Sequence, residues 1–263
     1  MTGEILWDRL EGLLKLRPKI VAVGHVSNVL GSAAPLAQIA PQIHAAGGLL
    51  AVDGCQAVAN MPVNIPATGA DFYTFSAHKM GALFSGGGLW ARAHLLSEMN
   101  PIETGGDMIR EVRLRDATFA EGTQKFEAGT PDASGTVGLA AACDFIDELG
   151  ASRSTHMRCA CWSASCANSL KRSPDARILG PADAKDRVGL VSLLERSRTC
   201  ARSRHHLGSS RVAIRAGHHC AMPLHEQLEL SATARVSVAP YTTDEDLDAL
   251  FEGLRDARKI FAR

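Results

Sequence analysis

Apolar residues recur at helical spacing over residues 4–16 (Ile5, Leu6, Leu10, Leu13 and Leu14), and Pro18 closes that run. The pattern then changes. KIVAVGHVSN (19–28) is a short β-branched run ending in polar residues, which predicts a buried strand and a loop. PLAQIAPQIHAAGG (35–48) reads as a helix with a glycine stop. LLAVDGCQA (49–57) and ADFYTFSAHKM (70–80) read as two more buried strands, so the rhythm predicts an α/β unit with a mostly parallel sheet. Residues 104–135 are glycine-rich and loop-like, 135–149 helical. TTDEDLDALFEGLRDARKIFA (242–262) predicts a helix capped by Thr243, with Leu247, Leu250, Phe251 and Leu254 as its apolar stripe.

Two stretches break the pattern. Residues 151–173 and 193–210 are dense in Ser, Arg, Cys and His with no clean period. They read either as flexible loops or as the product of a gene read briefly out of frame.

Composition narrows the function classes. The chain has 263 residues, 46% hydrophobic, enough for one large or two modest domains. Acidic and basic residues balance at 28 each, which argues against a nucleic-acid binder. No apolar run approaches the ~18 residues of a membrane span, and the N-terminus lacks a secretory pattern. Seven cysteines without framework spacing fit a reducing cytoplasm.

The predicted strands end in polar clusters: Ser27 and Asn28; Asp53 and Gln56; Ser76, His78 and Lys79. Ligands of open parallel sheets bind beyond the carboxyl ends of strands, so the three clusters suggest one shared site. Lys79 is either a solvated surface lysine or a Schiff-base lysine. Asp53 favours the second reading, because a pyridoxal phosphate (PLP) ring needs a carboxylate to keep its nitrogen protonated. Gln56 could donate to the ring oxygen, and Ser76 and His78 could hold phosphate. Cys220, in RAGHHCAMP (215–223), is by itself a working thiol, a metal ligand or a buried small residue. The metal reading is the weaker, since His218, His219 and Cys220 are adjacent and cannot readily face one ion. The cysteine cluster at 159–166 is a second, weak metal candidate, and Cys55 and Cys143 read as buried small residues.

HVSNVLG, VDGCQAV, DFYTFSAHKM, GGDMI, FEAGTP and RAGHHCAMPL occur in that order. The set resembles the PLP-dependent cysteine desulfurases of the class V aminotransferase fold, and the last motif looks like their SufS-type (group II) branch, which also includes selenocysteine lyases. The resemblance implies fold type I of the PLP-dependent transferases: a partial large domain (1–145) and a small C-terminal α/β domain carrying the cysteine loop (146–263). It implies Lys79 as the Schiff-base lysine, Asp53 on the pyridine nitrogen, Gln56 on the phenolic oxygen, and Ser76 and His78 on phosphate. Thr130 would reach the cofactor of the neighbouring subunit in a homodimer. Asn28 and Arg235 would hold the substrate carboxylate, with Arg215 close by, and no metal is implied. Cys220 would take sulfur from L-cysteine as a persulfide, release alanine, and pass the sulfur to an acceptor of the SufE/SufU type for iron–sulfur cluster assembly. A selenocysteine lyase, another class V enzyme and a catalytically impaired fragment are the competing expectations. The last arises because the family carries an N-terminal segment ahead of the position of Met1, with a PLP-stacking histidine and a phosphate-binding turn, which implies an N-terminally truncated chain. ALFSGGG (82–88) also replaces the family's usual turn after the lysine.

Overall fold

The computed structural model describes residues 5–148, 176–181, 187–195, 212–239 and 241–261. Its first sheet holds β1 (Ile20–Gly24), β2 (Leu49–Asp53), β3 (Phe72–Ser76) and β4 (Gly87–Ala91) in that spatial order. β1, β2 and β3 run parallel, and β4 returns antiparallel to β3. The register aligns Gly24 with Asp53 and Asp53 with Thr74, so the polar strand ends lie at one edge of the sheet.

Among the described residues, one face of this sheet is packed and the other is not. Leu50, Val52 and Tyr73 pack with α1 (Leu10–Leu14) and α2 (Leu36–Ala45), which contribute Leu10, Leu14, Leu36, Ile39 and Ile43. The opposite face carries Ala22, Ala51, Phe72 and Thr74 along a shallow depression of about 340 Å³ that ends at Asp53. The expectation of fully buried strands is therefore corrected: β1 alternates between exposed and half-buried positions, and Ile20 is 56% exposed. The N-terminal expectation is corrected too. Leu10 and Leu14 are buried, but Ile5, Leu6 and Leu13 are exposed, because a five-residue helix sets only one i, i+4 pair on the sheet.

α3 (Ala57–Asn60) follows the Asp53 turn, and α4 (Ile65–Thr68) is capped by the Asn64 side chain, which accepts from Ala67 N. α5 (Ala93–Glu98) leads to a hairpin of β5 (Ile109–Val112) and β6 (Ala117–Phe119) inside the stretch expected to be loop. All four residues of β5 are exposed, so no apolar alternation marked it. α6 (Ala133–Glu148) matches its expectation closely.

The second sheet is antiparallel, in the order β7 (Ala176–Ile178), β8 (Leu190–Glu195), β10 (Thr233–Ser237), β9 (Arg215–Gly217). α7 (Met222–Gln227) lies between β9 and β10 in the chain. α8 (Asp244–Phe261) buries Leu250 and Leu254 against Val191, Leu193, Ala234 and Val236, as its stripe predicts. Thr243 caps it reciprocally: its Oγ1 accepts from Asp246 N, and Asp246 accepts from Thr243 N.

The loop after β1 ties the two sheets together. Ser192 Oγ donates to Val29 O at 2.6 Å, and Arg187 donates to Leu30 O and Leu179 O at 3.0 and 2.8 Å. Gly31 O accepts from Val188 N at a left-handed φ of 73°, and a Cβ there would meet Leu190 O at 3.0 Å. This junction sets the β9–α7 loop beside the end of β1.

Candidate active site

At the ends of β2 and β3 the backbone holds the polar groups. Asp53 is exposed, and its Oδ1 accepts from Cys55 N at 2.9 Å. Gly54 N donates to Thr74 O at 2.8 Å, and a Cβ on Gly54 would lie 2.0 Å from the Tyr73 ring. Only glycine therefore fits beneath this turn. Tyr73 is fully buried, and its hydroxyl lies 2.8 Å from His25 Nδ1. His25 N in turn donates to Asp53 O at 2.8 Å. Burial, then the charges of Asp53 and Cys55, push the Tyr73 phenol well above its ordinary range, and burial lowers His25, so both stay neutral.

Gln56, Ser76, His78 and Lys79 lie at or just past the ends of β2 and β3. Asn60 donates to Gln56 Oε1 at 3.3 Å, so the Gln56 amide nitrogen keeps its donors. Ser76 Oγ lies 3.2 Å from Cys55 Sγ. His78 and Lys79 sit on the short turn Ala77–Met80, closed by Gly81 at φ 93°. Lys79 is exposed and makes no hydrogen bond or ion pair among the described residues, while the His78 ring stacks on Phe84 at 6.2 Å. α6 braces this turn: Gly135 and Gly138 allow close approach of Gly86 and Leu83. Asp132 caps α6, with its carboxyl held below the usual range by Gly135 N–H and then Ser134. Thr130, just upstream, is exposed and makes no hydrogen bond among the described residues.

A second group gathers at the end of β1 and the loop after β9. Arg215 Nη2 lies 3.4 Å from Cys220 Sγ. Arg215 and Arg235 are direct cross-strand partners on β9 and β10. Like charges in that register repel unless an anion lies between them. Arg235 Nη1 donates to Asn28 O at 2.9 Å, its Nε is buried with no partner, and burial followed by Arg215 lowers its pKa. The Asn28 amide donates to His219 O and keeps a second N–H. His219 and Cys220 both adopt left-handed φ, 55° and 62°. That costs about 1–2 kcal/mol per non-glycine residue. Hydrogen bonds of about 1 kcal/mol each from Asn28, Thr233 and His225 offset it.

Residues 1–250 match the aminotransferase class-V family. The chain belongs to that family. Among similar class-V proteins, "Probable cysteine desulfurase 2" of Mycobacterium leprae is 40% identical over 262 residues, covering 99% of this chain and 62% of the relative. A "Cysteine desulfurase" of Klebsiella pneumoniae is 38% identical over 264 residues, covering 98% and 63%. The crystal structure of the cysteine desulfurase CsdA from Escherichia coli superposes with a TM-score of 0.89 at 31% identity, covering 99% of this chain and 64% of that one. The chain thus spans a little under two thirds of the length of these relatives. Its mixed sheet with flanking helices is the class-V α/β fold seen in those structures.

The class-V motifs thus form two groupings, Asp53 with Gln56, Ser76, His78 and Lys79, and Asn28 with Arg215, Cys220 and Arg235. They are joined through the β1 end, where His25 bonds Asp53 and Asn28 bonds the cysteine loop. Two minor expectations change. Cys143 is exposed on α6, and Cys55 is half-buried with a polar contact, so neither is a buried apolar filler. The cluster at 159–166 and both irregular stretches lie outside the described residues, apart from the end of β8. Among the described residues no group of three His, Cys, Asp or Glu could hold a metal, and no helix is long and apolar enough to cross a membrane. Reasoning from sequence missed Tyr73, His25, Thr233 and His225. The one available signal was the glycine after Asp53, whose reason is a ring 19 residues away in the chain.

Proposed function

We propose that this chain carries the site of a PLP-dependent cysteine desulfurase, converting L-cysteine to L-alanine and leaving a persulfide on Cys220. The observation that carries the reading is the exposed Cys220 thiol held against Arg215, with Arg235 as the cross-strand partner of Arg215. The thiolate is the nucleophile in such chemistry, and Arg215 lies where a guanidinium would pair with its charge. The donor set fits the cofactor: a carboxylate, an amide, a hydroxyl, an imidazole and an exposed amine at adjacent strand ends. When bound, PLP supplies an electron sink for the substrate α-carbon. Asp53 would hold the proton on the ring nitrogen, Gln56 would donate to the ring oxygen, and Ser76 and His78 would bind phosphate oxygens. Lys79 would anchor the cofactor and move the α-proton. Arg235 would grip the substrate carboxylate, helped by Arg215 and the second Asn28 N–H. Cys220 would form the new S–S bond as the carbon–sulfur bond breaks; cysteine plus thiol becomes alanine plus persulfide, so atoms balance.

The same reading divides the chain at 145/146, makes it a SufS-type homodimer with Thr130 facing the neighbouring cofactor, and passes sulfur to a SufE/SufU-type acceptor for iron–sulfur cluster assembly. Seven cysteines without framework spacing support a reducing cytoplasm. The test is the absorption spectrum of the purified chain with added PLP. A visible band lost in Lys79→Ala, together with sulfide release from L-cysteine lost in Cys220→Ala, supports the reading. A folded sample with no band, or Cys220→Ala with undiminished sulfide release, overturns it.

A further inference from the structure

His225 lies on α7, is 1% exposed, and uses both ring nitrogens. Its Nδ1 is 3.0 Å from Ala221 O and its Nε2 is 3.0 Å from Thr233 Oγ1. Thr233 Oγ1 is also 2.9 Å from His219 Nε2. The proton positions follow from what each group can do. A carbonyl only accepts, so His225 Nδ1 carries hydrogen. The Nε2 of the neutral ring is then a bare acceptor, and the Thr233 hydroxyl donates to it. With its one proton spent, Thr233 accepts from His219, whose Nε2 carries hydrogen and whose Nδ1 is bare. That Nδ1 is buried without a partner, and no orphaned N–H results.

The chain of bonds grips both neighbours of Cys220: the side chain of His219 before it and the carbonyl of Ala221 after it. His219 and Cys220 are the two consecutive left-handed residues of the loop. We infer that His225, acting through Thr233, is a positioning residue that holds Cys220 in its left-handed conformation beside Arg215. The inference rests on Cys220 being the working thiol. The charged and titratable groups around this chain are Arg215 and Arg235 on the two strands, His218 edge-on to His225 at 5.4 Å, and Cys220 itself.

The test is alkylation of the purified chain by iodoacetamide across a pH series. Mass spectrometry of the Cys220 peptide separates it from the other six of the seven cysteines. Thr233→Val and His225→Leu should each loosen the Arg215 contact and slow the alkylation of Cys220. At neutral pH the slowing is about three- to tenfold. Thr233→Ser should keep the parent profile, and the double variant should be no slower than either single one. A purely structural role would lower the unfolding midpoint and leave the alkylation profile in place. Unchanged profiles in folded Thr233→Val and His225→Leu overturn the inference, and so does Thr233→Ser behaving like Thr233→Val. If His225→Leu fails to fold, the nearly isosteric Thr233→Val decides. Alkylation needs neither cofactor nor turnover, so failure of the desulfurase reading would appear separately, as absent sulfide release with the alkylation pattern intact.

Discussion

The two halves of the site are held in different ways. The Asp53 half stands on parallel strands, where ladder hydrogen bonds and one buried tyrosine ring define the turn. The Cys220 half stands on a loop in unfavourable backbone conformations, kept there by side chains from the β1 end, β10 and α7. The first depends on shape and the second on polar partners. Packing defects and lost polar partners should therefore damage them differently.

The largest effect is expected in the first half. Gly54→Ala places a Cβ 2.0 Å from the Tyr73 ring. Overpacking of this kind costs about 3 kcal/mol or more, so urea denaturation should show severe destabilisation or no cooperative transition. Acid should weaken both halves, because burial lowers His25 in the first as it lowers His219 in the second. Burial, then Arg235, His225 and Arg215, lower the His219 pKa from 6.5 to about 4. The unfolded state binds the proton first as pH falls, so stability present above pH 6.5 is progressively lost between 6.5 and about 4. Linkage gives a loss of about 2 kcal/mol at pH 5, and urea titrations at pH 7 and 5 measure it. Asn28→Ala removes the donor to His219 O. A cost of about 1–2 kcal/mol should appear with faster hydrogen exchange in residues 215–222 and little change along β2 and β3. The smallest stability effect belongs to Lys79→Ala. Its side chain is exposed and unpartnered among the described residues, so the unfolding midpoint should stay within about 0.5 kcal/mol of the parent while the PLP absorption is lost. An equal response of both halves to Asn28→Ala would dissolve the contrast.

The shape-based half was largely legible in the sequence, because strands announce themselves in apolar runs and their ends in polar clusters. Asp53, Ser76 and Lys79 could be placed at strand ends without coordinates, and α8 could be drawn with its cap and stripe. The β5–β6 hairpin could not, since its exposed strands carry no alternation.

By itself the sequence determined the parallel rhythm of β1, α2, β2 and β3, the order of the class-V motifs, and the identity of the groups available for chemistry. Periodicity and residue type are local properties, and these features depend on little else. Only the tertiary structure decided that Gly54 answers to Tyr73, that one sheet face stays open among the described residues, and that Asn28, Thr233 and His225 converge on the loop around Cys220. The Asn28–His219 bond spans 191 residues. A contact of that separation leaves no periodic trace in the chain, because it is set by how two sheets meet and not by any segment's own preference.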